Sequence, residues 1–252
     1  MIIWRNFKGK VTKADSYSLT VENISIDNIK SLNLPDKDGK ITVNNISYSY
    51  DSWEAQVDAQ GNIKSVTFNL SKDKAIADPE KTVAEGYLLN AGSAINARGI
   101  PYYMTQLNEF VRNFSEMFNQ IESKGQNLNG DTPPTFFEAI TNTAKVYDFS
   151  ESEAYSKLPD GQTATINSSS NTYYRMTAAN FSVNKDVMND VSLFATSTDY
   201  VKTDSCDIVD ELKKLQSEKT VYRGDKAESF LETNHLQCVS GYGKGRDLQQ
   251  AL

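Results

Sequence analysis

The feature that most constrains the fold of this chain is a regular apolar repeat between residues 100 and 121. Seven apolar residues recur there at spacings of four, three, four, three, four and three: Ile100, Met104, Leu107, Val111, Phe114, Phe118 and Ile121. This alternation is typical of the a and d positions of a coiled-coil seam. It predicts a long helix near residues 100–124, with Pro101 in its first turn and Gly125 as its terminator.

A helix with such a stripe is not stable alone in water. Burying its seven apolar side chains contributes about 10–20 kcal/mol before conformational entropy is subtracted. We therefore predict that these seven residues form a helix packing seam, against another part of this chain or a neighbouring subunit. The repeat covers only three heptads, so an ordinary core helix is an alternative that periodicity leaves open.

Residues 1–80 show the period-two alternation of β-strands, most clearly at residues 17–21 and 41–50. Within the second run, Asn44-Asn45 changes the phase of the alternation, which is typical of a bulge or a bend. A charged connector follows. Residues 82–98 then predict a first helical stretch, with Val83, Leu88 and Ile95 as its apolar members, weakened by its glycines.

Together these patterns predict an α+β fold. We expect an N-terminal antiparallel β region, then the long heptad-patterned helix, then mixed short strands and helices. The predicted domains are a β-rich domain over residues 1–80 and a helical domain over residues 81–252. The second domain would include a polar loop or β insertion near residues 125–183.

The composition argues against several classes of partner. The formal net charge of −7 is unlike that of nucleic-acid-binding domains, which concentrate basic residues on one face. No window approaches the roughly 20 apolar residues of a membrane helix. The first residues lack the apolar core of a cleaved secretory signal, and export without a cleaved signal stays open. We expect neither a nucleic-acid nor a membrane partner.

Catalytic signatures are absent from the sequence. His235 is the only histidine, which excludes the HExxH motif, and no nucleophile elbow or Walker loop occurs. His235, Cys238 and Cys206 form a minor zinc hypothesis, and residues 36–39 lack the ligand spacing of a calcium loop. The redox state of the two cysteines stays open. We predict no catalytic residue, no cofactor, no metal site and no enzymatic activity.

Several segments of the sequence carry a family resemblance. They are Asn96-Ala-Arg-Gly-Ile-Pro-Tyr-Tyr-Met-Thr-Gln-Leu-Asn-Glu-Phe-Val111, Phe118-Asn-Gln-Ile121, Phe136-Phe137, Thr177-Ala-Ala-Asn-Phe-Ser-Val183 and Tyr222-Arg-Gly-Asp-Lys-Ala-Glu-Ser-Phe-Leu231. Together they resemble the flagellar hook-associated protein 1 family, the hook–filament junction proteins. Residues 1–30 and 236–252 match that family poorly. We therefore interpret the chain as a central fragment without the terminal assembly regions of the family.

The resemblance implies a structural component of the bacterial flagellum, forming the junction between hook and filament. It implies export through the flagellar secretion apparatus, an extracellular location, and no cofactor. The implied partners are the hook protein, the second junction protein and, in the intact protein, further copies in a ring. The alternatives are a non-catalytic surface adhesin or binding module and an enzyme with an unrecognised carboxylate site.

Overall fold

The computed structural model describes most of the chain up to residue 229. The described residues are 7–26, 28–35, 38–72, 75–79, 86–91, 100–152, 154–201, 205–215, 219–223 and 226–229. Six strands come first: β1 (Phe7–Ala14), β2 (Ser18–Glu22), β3 (Gly39–Val43), β4 (Ile46–Val57), β5 (Ile63–Leu70) and β6 (Leu88–Ala91). The later elements are α1 (Ile100–Glu122), β7 (Phe137–Ala139), β8 (Ala164–Asn167), β9 (Phe181–Val183), α2 (Lys185–Asn189), α3 (Asp207–Lys214), β10 (Lys219–Arg223) and β11 (Lys226–Ser229).

The first six strands form a closed antiparallel barrel. Around the ring, β1 pairs with β2, β2 with β5, β5 with β4, β4 with β3, β3 with β6, and β6 with β1. Strand β8 pairs antiparallel with residues 54–57 at the carboxyl end of the long strand β4. Closure leaves the six strands of the ring without a free edge of their own.

The change of phase at Asn44-Asn45 marks a tight hairpin turn, not a bulge within one strand. Val43 pairs with Ile46, so only Asn44 and Asn45 connect β3 to β4. Their φ angles are 49° and 62°. Two consecutive residues in this region match the mirror-image turn that suits the twist of a hairpin, and asparagine tolerates that backbone better than most residues.

The barrel encloses the main hydrophobic core. Its fully buried large side chains include those of Leu19, Ile41, Tyr50, Trp53 and Phe68. The Phe68 ring lies 5.6 Å from that of Phe7 and 5.1 Å from that of Tyr50, between centroids. Such aromatic contacts add to the burial of apolar area. The core therefore fills the barrel with side chains.

The described chain divides into two compact units. The first contains Met1–Arg112 and Ala139–Asn180, and the second contains Asn113–Glu138 and Phe181–Leu252. The boundary falls inside α1, between Arg112 and Asn113. The division into domains of residues 1–80 and 81–252 stays a prediction, since compactness does not test which parts fold independently.

The predicted α+β class is wrong. Strands account for most of the regular structure, and the barrel is the organising element in place of a heptad-patterned helix. The 23-residue helix α1 buries the predicted heptad seam only in part, and its most buried side chains are polar ones beside that stripe. The predicted helix over residues 82–98 is also wrong at Leu88–Ala91. These residues form β6, because pairing with both β1 and β3 supplies two hydrogen-bonded ladders.

Candidate functional site

The predicted packing seam is only partly buried within the chain. Met104 and Leu107 are each 39% exposed, Val111 is buried, and Phe114, Phe118 and Ile121 are half-buried. The side chain of Ile100 lies outside the described residues. In the first unit, Val111 packs with Ala139 and Met176 in a second, smaller core. Whether the whole seam packs in an assembly stays a prediction.

A polar row lies immediately beside this seam on α1. Its members are Asn108, Arg112, Ser115, Asn119 and Glu122, at spacings of four, three, four and three. All are buried except Asn108, which is half-buried. The row repeats the heptad spacing one residue later than the apolar stripe, so it occupies the adjacent strip of the helix surface.

Arg112 anchors α1 within the first unit. Its Nε donates a hydrogen bond to the carbonyl oxygen of Met176 at 3.0 Å, and Nη1 donates to that of Leu32 at 3.2 Å. Nη1 also lies 3.2 Å from Oδ1 of Asn33. The guanidinium carbon stands 4.2 Å from the centroid of the Tyr174 ring. A buried arginine is stable here because oxygens and an aromatic face replace its water.

Tyr174 extends the Arg112 anchor to the barrel. Its hydroxyl donates to the carbonyl oxygen of Leu34 at 2.6 Å and accepts from the Leu34 N–H at 2.7 Å. Its ring meets that of Trp53 edge to face, with centroids 4.9 Å apart. One tyrosine thus joins the helix anchor, the loop after residue 31 and the barrel core. Tyr174 lies in a short 3₁₀ turn, Tyr173–Arg175, and no periodicity in the sequence indicates its role.

Asn119 performs a similar role within the second unit. Its Oδ1 accepts the N–H of Phe137 at 2.9 Å, and its Nδ2 donates to the carbonyl oxygen of the same residue at 2.8 Å. The amide therefore pairs with Phe137 as a neighbouring strand would. This pairing holds the first residue of β7 against the helix.

We expect Asn119→Ala to destabilise the protein by about 1–3 kcal/mol, because both polar groups of Phe137 would lose their partner. Asn119→Asp should cost at least as much at neutral pH, since a carboxylate would face the Phe137 carbonyl. Urea-induced unfolding measures both. Asn129→Ala removes an exposed asparagine amide of the same unit and should change stability by less than about 0.5 kcal/mol. Equal effects at the two positions would contradict this role.

A cluster of phenylalanines packs around the end of α1 in the second unit. Phe118 is central, with its ring centroid 4.9 Å from that of Phe136 and 4.8 Å from that of Phe137. Phe181 and Phe194 contact this pair at 5.1 and 5.5 Å. The Phe136-Phe137 pair singled out in the sequence therefore packs on the predicted seam residue Phe118.

An apolar patch borders the phenylalanine cluster. It is a shallow groove of about 340 Å³ lined by Phe136, Val183, Val187, Met188, Val191 and Phe194. Met188 is 68% exposed and Val191 is 80% exposed. Contiguous apolar surface of this kind is typical of interaction sites. The patch contains no titratable side chain, so it suits a binding surface better than acid–base chemistry.

Glu122 closes the polar row with a buried carboxyl group. It is 2% exposed, and its Oε1 accepts the N–H of Ala195 at 2.7 Å. Oε2 has no hydrogen-bond partner among the described residues. Burial raises the pKa of Glu122 to about 7, and the hydrogen bond from Ala195 opposes part of that rise.

The structure describes only some of the residues that the sequence offers as possible metal ligands. Within the described ranges, no three histidine, cysteine or carboxylate side chains come together as a metal site. Cys206 is an exposed free thiol. His235 and Cys238 lie outside the described residues, as do positions 36 and 37 of the calcium-like loop. No described helix has the length and apolar character needed to cross a membrane.

Comparison with known proteins identified no relative. The chain matched no family model, no curated protein sequence and no solved structure.

Proposed function

We propose that this chain is a non-catalytic structural protein of the bacterial flagellum, acting at the junction between hook and filament. The proposal rests on two properties of the segment around α1. Residues 96–121 hold the most specific part of the resemblance, and the same helix leaves Met104 and Leu107 partly exposed. An apolar helix face that the chain covers only in part is suited to packing against a neighbouring subunit.

Two further features support a structural role. Polar side chains fasten α1 on one side, Arg112 within the first unit and Asn119 within the second, while Met104 and Leu107 of the adjacent apolar stripe stay partly exposed. The apolar patch of the second unit provides another surface for a protein partner. On this proposal, the partners are the hook protein, the second junction protein and further copies of the chain. The protein works outside the cell without a cofactor.

Deletion of the gene tests the proposed function directly. We expect cells with hooks but no filaments, and flagellin released into the medium. Normal filaments in the deletion strain would refute the proposal. Normal filaments together with a loss of surface attachment would instead indicate an adhesin or binding module.

Complementation of the deletion strain tests the α1 surface. Leu107→Glu should restore far fewer filaments than the unsubstituted gene, because a carboxylate would be placed in a subunit interface. Val146→Glu is the matched control, since Val146 is also an exposed apolar residue of the first unit. Both variants should retain stability within about 0.5 kcal/mol. Full complementation by Leu107→Glu would contradict the proposed use of this face.

A further inference from the structure

The end of α1 holds a carboxyl group in a site that does not suit its charged form. Glu122 is buried, its Oε1 is bonded to the Ala195 N–H, and its Oε2 has no partner among the described residues. A buried carboxylate without a counter-charge is costly, whereas a protonated carboxyl group is much less so. The geometry therefore favours the neutral side chain.

The surroundings of Glu122 are tightly packed. A Cβ atom placed on Gly125 would lie 2.6 Å from the Cβ of Ala195, 2.9 Å from Cγ1 of Ile208 and 3.1 Å from the carbonyl oxygen of Ser197. Only glycine fits between the helix end, residues 194–198 and α3. This packing leaves little room for water to solvate a charge on Glu122 without separation of these elements.

Four charged groups on the neighbouring segments have partners other than Glu122. Lys124 pairs with Glu211 of α3, with 2.9 Å between Nζ and Oε2. Asp207 accepts hydrogen bonds from the N–H and the hydroxyl of Thr198, at 3.0 and 2.6 Å. Asp199 accepts from the N–H of Val201 at 3.1 Å. In the described part of the chain, no lysine or arginine pairs with Glu122.

We propose that Glu122 is a proton-dependent latch. Its neutral side chain holds residues 194–198 against the end of α1, and loss of its proton releases them. The reaction is a simple acid dissociation, in which the carboxyl O–H breaks and the proton passes to water. This latch is a property of the fold and does not depend on the proposed flagellar function.

The direction of the pH effect follows from proton linkage. The pKa of Glu122 is about 7 in the closed segment, and an open, hydrated glutamate has the ordinary value of 4.5. Below pH 4.5 both forms carry the proton, so the latch is fully stabilising. As the pH rises from 4.5 to about 7, the open form loses its proton first, and opening increases by up to about tenfold per pH unit. Above pH 7 both forms have lost the proton, so the extent of opening no longer changes with pH.

Hydrogen exchange of the Ala195 amide, followed by NMR, measures this opening. After correction for the intrinsic exchange rate, the protection factor should fall by up to about tenfold per pH unit between pH 5 and 7. Glu122→Gln should show little dependence on pH, because glutamine keeps the acceptor for Ala195 and cannot ionise. Glu211→Gln, which removes a more exposed carboxylate from the same unit, should behave as the unsubstituted protein.

A protection factor that is constant from pH 5 to 8 in the unsubstituted protein would overturn the proposal. An equal fall in Glu122→Gln would overturn it as well. The carboxyl ¹³C shift of Glu122 gives a second measurement that needs no variant. Its titration should have a midpoint near 7, and a midpoint at the ordinary value of 4.5 would also refute the latch.

Discussion

Phe68→Ala is expected to lower the free energy of unfolding of the barrel by about 3–5 kcal/mol, the range seen when a large aromatic side chain is removed from a core. Phe68 lies on β5, is fully buried, and contacts the rings of Phe7 and Tyr50. These neighbours belong to strands of a closed ring, so they have little freedom to collapse into the cavity.

Tryptophan fluorescence during urea denaturation would measure this loss. A Trp4→Phe background makes the buried Trp53 the only tryptophan, so that the signal reports on the barrel. Tyr17→Ala is the control, because it removes an exposed aromatic side chain beside β2 and should change stability by less than about 0.5 kcal/mol. A loss below about 1 kcal/mol for Phe68→Ala would contradict a tightly packed barrel core.

Arg112→Ala is expected to destabilise the first unit by about 3–5 kcal/mol, because two buried carbonyl oxygens would be left without a donor, at about 1–3 kcal/mol each. The carbonyl oxygens of Met176 and Leu32 would both lose a donor, and Tyr174 would lose the guanidinium on its ring. Arg112→Lys should recover only part of the loss, since one ammonium group cannot reproduce the planar fork.

Arg175→Ala provides a matched control in the same unit. Arg175 also stands over an aromatic ring, that of Tyr147, at 4.6 Å, but its hydrogen bond to Ser169 is long at 3.4 Å. Its removal should cost only about 1 kcal/mol. Comparable losses at Arg112 and Arg175, measured by denaturation, would show that Arg112 is not an anchor.

The strands of the barrel are partly visible in the sequence, but its closure is not. Leu19 and Val21 alternate with polar residues and are both fully buried, as their pattern predicts. Closure depends on β6, where only four residues pair with two strands far away in sequence. Such long-range pairing overrides local helical spacing and leaves no short-range signal.

The apolar repeat of α1 does not coincide with the most buried side chains of the helix, for a related reason. The segments that pack on the helix expose backbone groups, such as those of Phe137, Met176 and Ala195, that need hydrogen-bond partners. Arg112, Asn119 and Glu122 satisfy this need, which accounts for their burial. A search of the sequence for polar residues at heptad spacing finds the polar row: Asn108, Arg112, Ser115, Asn119 and Glu122.

Closure of the barrel through β6 also sets the order of folding while the chain is being synthesised. Strands β1 and β3 both need β6, which is the last strand of the ring along the sequence. Until residue 91 has emerged from the ribosome, the ring has two unpaired edges. The contacts that complete it span most of the first 91 residues, so closure is a late and comparatively slow event.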